Sequence, residues 1–148
     1  MKYLIIFLLL FIPPKETPKV DIELQLYVKE FLREAEHWRI PIDHYYCLTG
    51  IYYVDKLPSF NRQDSIMGGY YRNSETIYIK NKYKDPRFLR ILVWHELGHS
   101  VFNLDHVKTK LSIMNPHLTY DNIDIYENEW DFLVQDLFID ALKLENYR

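Results

Sequence analysis

Residues 95–99 read His-Glu-Leu-Gly-His, two imidazoles four positions apart with a carboxylate beside the first. On an α-helix four residues make little more than one turn, so His95 and His99 project from one face toward one point. Two converging neutral imidazoles can chelate a tetrahedral cation, and Zn2+ suits such nitrogen donors. A zinc ion held by three protein ligands keeps a fourth position for water, whose pKa it lowers, and it polarises a carbonyl. Glu96 stands where it can take the proton of that metal-bound water and pass it to a leaving amine. The expected chemistry is hydrolysis of a peptide bond. The duller alternative is a pair of satisfied core histidines. It would leave several polar groups of a buried helix in need of partners, which a metal ion supplies.

A third ligand must follow. The chain continues Ser-Val-Phe-Asn-Leu-Asp-His to position 106, which offers Asp105 and His106. To bring either one around the metal the helix has to end sharply, in a residue that tolerates the left-handed conformation. Asn103 does so, whereas Phe102 would be strained by about 1–2 kcal/mol. With the turn at Asn103, His106 lies three residues further on and is the favoured ligand. With the turn at Phe102, Asp105 takes that place. Another arrangement draws the third ligand from a later helix, where Glu127 or Glu129 would serve, although acidic residues suit a helix start in any case. His37, His44 and His117 lack ligand spacing and read as surface or loop residues. Of the three, only His117 is weighed for lining a substrate subsite, and the sequence argues against it.

The stretch from His95 to Pro116, HELGHSVFNLDHVKTKLSIMNP, resembles the active-site segment of the metzincin zinc peptidases, most closely the matrixin-like branch. That family's pattern is HExxHxxGxxH followed by a methionine turn. The resemblance implies Zn2+ as cofactor, His95, His99 and His106 as metal ligands, and Glu96 as catalytic base. It also matches Asn103 to the helix-exit glycine and Met114 to the methionine beneath the metal. Two departures stand out: one additional residue precedes the turn position, and Asn replaces Gly there. An added helical residue rotates the exit by about 100° unless the last turn adjusts. The resemblance covers 22 of 148 residues. It implies an α+β, zincin/metzincin-like fold and a zinc-dependent metalloendopeptidase acting on protein or peptide substrates. In that family the substrate pairs with an exposed edge strand; residues 66–71 are the candidate edge. The rival from another class is a catalytically silent, zinc-stabilised extracellular binding module, for which four protein ligands would be expected.

These residues need elements to hold them. Asp85 followed by Pro86 is a helix start, since Asp accepts free backbone N–H bonds and Pro is tolerated at the first position. The helix is expected over 86 to about 103. Its apolar residues cover nearly the whole circumference, so it should be buried. Upstream, Thr17 and Pro18 read as the cap and first turn of an amphipathic helix running to about Ile40, where Pro41 disfavours continuation. Residues 45–54 read as a strand, 57–64 as loop, and 66–71 with 76–80 as a hairpin. Tyr126, Trp130, Leu133, Leu137 and Ala141 recur at helical spacing, giving a final helix over about 126–144. A small twisted sheet should pack on the first helix and on the buried one.

The chain has 148 residues, 48% apolar, with 18 Lys and Arg against 21 Asp and Glu. That supports one domain over 18–148 with a real core, expected to be a monomer, and gives no reason to expect nucleic acid as partner. The lone Cys47 makes no internal disulfide and reads as core. Lys2, an apolar run from Tyr3 to Ile12, and Pro13-Pro14 give residues 1–17 the outline of a signal peptide or hydrophobic leader. Ten helical residues rise only about 15 Å, half the hydrocarbon thickness, so no stable membrane span is expected. The expected location is secreted, periplasmic or cell-envelope, with attachment through an uncleaved leader as the other option.

Overall fold

The computed structural model describes residues 16–58 and 67–146. Nearly all of the leader read over 1–17 lies outside them, as do Ile66 and most of the 57–64 loop. In chain order the elements are β1 (Lys19–Val20), α1 (Gln25–His37), β2 (Gly50–Val54), β3 (Gly68–Tyr71), β4 (Thr76–Lys80), α2 (Pro86–Phe102), α3 (Ile123–Asn128) and α4 (Trp130–Glu145). The architecture is α+β, with four α-helices and one four-stranded mixed sheet among the described residues.

The sheet runs β1-β2-β4-β3, with β1 and β4 parallel to β2 and β3 antiparallel to β4. The expected hairpin is therefore present, in register from Gly68 opposite Ile79 to Tyr71 opposite Thr76. Its turn closes through Glu75, which adopts the left-handed region at φ 48°. Placing β3 outside β4 leaves β3 at an edge of the sheet among the described residues. Ile77 and Ile79, two positions apart on β4, share one face and are fully buried, as alternation along a strand dictates.

Helix α2 is the centre of the molecule. Asp85 Oδ1 accepts the Arg87 backbone N–H at 2.9 Å, Pro86 opens the first turn, and 13 of the 17 residues are buried. The helix packs against α1, α3, α4 and the β3–β4 side of the sheet. On α1, Phe31 meets Trp94 edge-on at 5.3 Å and stacks on Phe102 at 5.2 Å. Phe138 of α4 completes this aromatic cluster, 5.7 Å from Phe31. Such contacts fix α2 at its middle and at its C-terminal end.

Several expectations are corrected. Thr17 and Pro18 do not start a helix; Lys19–Val20 joins the sheet instead, with Lys19 N–H bonding the Thr49 oxygen and Asp21 N–H the Ile51 oxygen. Long-range strand pairing outweighs the local cap signal, and α1 begins only after a 3-10 turn at Ile22–Leu24. The strand read over 45–54 is strand only from Gly50, because Asp43–Cys47 is a 3-10 turn. Cys47 is exposed on that turn, not core. The final helix is two helices meeting at Glu129. Before the junction Tyr126 bonds the Ser112 carbonyl at 3.2 Å, and after it Trp130 packs on Trp94 at 4.9 Å. No helix among the described residues is long and apolar enough to cross a membrane.

Candidate metal centre

His95 and His99 stand one turn apart on α2 with ring centroids 4.7 Å from each other. Each ring is anchored from behind by a backbone carbonyl. His95 Nδ1 lies 2.7 Å from the Ile113 oxygen, and His99 Nδ1 lies 2.6 Å from the Leu104 oxygen. A carbonyl oxygen only accepts, so each Nδ1 carries the proton and each Nε2 is left a bare lone pair. Those two Nε2 atoms are 3.1 Å apart, and His106 Nε2 is 3.2 Å from that of His95. Burial pushes the His95 pKa down to about 3, and burial also lowers those of His99 and His106. At neutral pH no proton bridges His95 and His99, and two acceptors confront one another.

A cation removes that conflict. Nitrogens bound at about 2.0–2.1 Å around a tetrahedral ion stand about 3.3 Å apart, close to the separations found. Among the described residues, His95, His99 and His106 form a group whose ligand atoms all lie within 4.8 Å of one another. The three side chains fit one ion.

His106 joins the group because of how α2 ends. Asn103 takes the left-handed conformation, φ 56° and ψ 37°, and its N–H bonds the Gly98 oxygen five residues back. Leu104 N–H bonds the same oxygen at 3.1 Å. The last turn is thus wider than an α-turn, and this π-type closure absorbs the additional residue between His99 and the turn. Phe102 remains helical and buried, while Arg72 in the β3–β4 turn donates to Asn103 Oδ1 at 3.3 Å. Of the competing third ligands, Asp105 is exposed beside the group without entering it, and Glu127 and Glu129 are exposed and outside it.

Residues 112–115 fold into a turn closed by Asn115 N–H to the Ser112 oxygen at 3.0 Å. Val107 N–H bonds the Met114 oxygen at 2.9 Å, tying the segment after His106 to this turn. Two things follow from its position. The turn presents the Ile113 carbonyl to His95, and it lays Met114 against Gly98, where a Cβ would fall 2.5 Å from the Met114 sulfur. Gly98 is therefore a packing requirement of the turn.

Glu96 is only 5% exposed, and burial pushes its pKa up to about 8 against the opposing effect of a hydrogen bond from Tyr70 N–H. The edge strand thus fixes the carboxylate. Gly68 lets that strand come close, since a Cβ there would meet Ile79 Cδ1 at 2.9 Å and Glu96 Oε1 at 3.4 Å. Above lies a cleft of about 690 Å³, walled by residues 67–70 and 115–119 and floored by Leu92, His95, Glu96 and His99, with His106 on its lining. No family model matches the chain, and neither curated proteins nor solved structures yield a match.

The structure brings together His95, Glu96, His99 and His106, with Met114 packed beneath α2 and Asn103 at its exit. The candidate edge at 66–71 lines the cleft from Met67 onward. His37 and His44 are exposed and do not line it, whereas exposed His117 does, against the sequence reading. Sequence reasoning missed the carbonyls of Ile113 and Leu104 and the N–H of Tyr70. Backbone groups carry no residue signature, so no sequence signal points to them.

Proposed function

We propose that this chain is a zinc-dependent metalloendopeptidase of the metzincin type, with residues 18–148 as its catalytic domain. One observation carries the reading: the bare Nε2 lone pairs of His95 and His99 converge with His106 Nε2 beside a buried carboxylate in an open cleft. Three protein donors, not four, favour a catalytic over a structural site, and an all-imidazole set suits zinc. When bound, Zn2+ supplies a Lewis acid that polarises a carbonyl and acidifies water.

The chain's own residues do the rest. The Ile113 and Leu104 carbonyls hold the His95 and His99 rings in the tautomer that aims both lone pairs inward. Glu96 accepts a proton from the water attacking the scissile carbon and delivers it to the departing nitrogen. With a dication held by His95, His99 and His106, the Glu96 carboxyl would return toward the ionised form that accepts protons. Among the described residues β3 is an edge strand, and an extended peptide can pair with its outer backbone groups other than the Tyr70 N–H, which Glu96 holds. The apolar run from Tyr3 to Ile12 supports export to the cell envelope or the medium.

The test loads the purified chain with zinc and assays a mixed peptide library. One ion per chain and chelator-sensitive cleavage are expected, with kcat falling about 10²–10⁴-fold in Glu96→Gln while zinc is retained. Undiminished cleavage by Glu96→Gln would overturn the assigned base. Tightly bound zinc with no cleavage of any peptide would favour the silent binding module.

A further inference from the structure

We propose that His117 is a second catalytic residue of this cleft, donating a ring N–H to the substrate carbonyl oxygen as negative charge gathers on it. The inference rests on the metallopeptidase reading. It starts from the cleft's supply of hydrogen-bond donors. The Tyr70 hydroxyl is committed to Glu75 at 2.5 Å, and the Asn115 amide to the Lys110 oxygen at 3.3 Å. Thr119 is occupied in a capping box with Asn122. His117 differs: among the described residues neither ring nitrogen has a hydrogen-bond partner.

Its backbone, by contrast, is clamped on both sides. His117 N–H donates to Asn115 Oδ1 at 2.9 Å, and the His117 oxygen accepts from Asn122 Nδ2 at 3.3 Å. The clamped backbone keeps His117 on the cleft wall, and its uncommitted ring N–H is left to turn toward a carbonyl oxygen. The ring also sits on the useful wall. Glu96 is tied to β3 through Tyr70 N–H, while His117 belongs to the 115–119 wall of the same cleft that His106 lines. A carbonyl placed between these walls would have the base on one side and the wall that carries His117 on the other.

The electron count is simple. As the water oxygen bonds to the carbonyl carbon, the π pair moves to the carbonyl oxygen and the water's proton moves to Glu96. His117 donates a hydrogen bond to that oxygen and keeps its own proton. The C–N bond then breaks as Glu96 gives the proton to nitrogen. One ring N–H suffices, so either charge state of His117 can donate.

The experiment compares wild type, His117→Ala and His117→Gln as zinc-loaded full chains. The probes are the best-cleaved library peptide, a phosphinic analogue of it with a tetrahedral centre, and a simple hydroxamate. In His117→Ala, kcat should drop about 10²-fold with KM and zinc content unchanged, and the phosphinic peptide should weaken by a similar factor by calorimetry. Hydroxamate binding should not change, and His117→Gln should recover part of both losses. Unchanged kcat and phosphinic affinity in His117→Ala would reduce His117 to a wall residue and overturn the proposal. A changed visible spectrum of Co2+-substituted His117→Ala without any probe present would make His117 a metal ligand and also overturn it. A wild-type chain that neither cleaves peptides nor binds the phosphinic probe would instead remove the metallopeptidase reading on which this one stands.

Discussion

His106 and Asp105 are neighbours in sequence with opposite fates, and the difference lies in the backbone. The left-handed Asn103 turns the chain so that His106 Nε2 comes within 3.2 Å of His95 Nε2, while Asp105, exposed like His106, stays outside the group. His106→Ala should therefore lower zinc affinity by orders of magnitude, and Asp105→Ala should alter it little; competition against a chromophoric chelator measures both. Equal losses in the two variants would contradict the geometry. The candidate metal ligands were legible in the sequence because imidazoles at positions 95 and 99 of a helix must point the same way. Their orienting partners were not, because any residue at 104 or 113 offers the same carbonyl. His117 was illegible for a related reason: nothing in its local sequence reveals that Asn115 and Asn122 pin its backbone on the cleft wall.

Among elements, α2 was the most legible and β1 the least. Asp85, Pro86 and an apolar circumference are local signals, and the helix observed runs over Pro86–Phe102 much as they require. Residues 19–20 carry a local helix signal but gain two long-range backbone hydrogen bonds by joining β2, and the sheet wins. Chemistry and packing meet where α2 touches the turn that carries Met114. Gly98 gives Met114 its room, so Gly98→Ala must displace a sulfur that would otherwise lie 2.5 Å from the new Cβ. Because the same turn offers the Ile113 carbonyl to His95, the strain reaches the candidate metal site. Gly98→Ala is expected to cost about 1–3 kcal/mol in urea unfolding and to weaken zinc binding. In the double variant with Met114→Ala the two losses should be clearly less than additive. Additive losses would mean that the two side chains do not compete for one space.

For the molecule as a whole, metal, folding and pH are linked. Burial holds His95 down at about 3, against an ordinary 6.5, and lowers His99 and His106 as well. A depressed pKa means that folding favours the neutral ring. That contribution is complete above about pH 6.5 and drains away as pH falls toward about 3. Glu96 acts in the opposite sense: raised from 4.5 to about 8, its contribution is complete below about pH 4.5 and is lost as pH rises through about 8. The metal-free protein is thus weakened from both directions. His95 is already neutral at pH 5 in the folded protein, so the pH dependence of zinc binding falls chiefly on Glu96, whose ionised form a dication favours, and the rise in Tm that zinc produces should be smaller near pH 5 than near pH 8. Calorimetry with zinc and with a chelator across that range checks the slope, and a zinc increment independent of pH would refute the linkage. The widened last turn of α2 has a consequence of its own, for tolerance of insertion. A helix that closes five residues back can shed one residue by reverting to ordinary closure, and so the count of residues between two ligands can change while the ligands stay where they are.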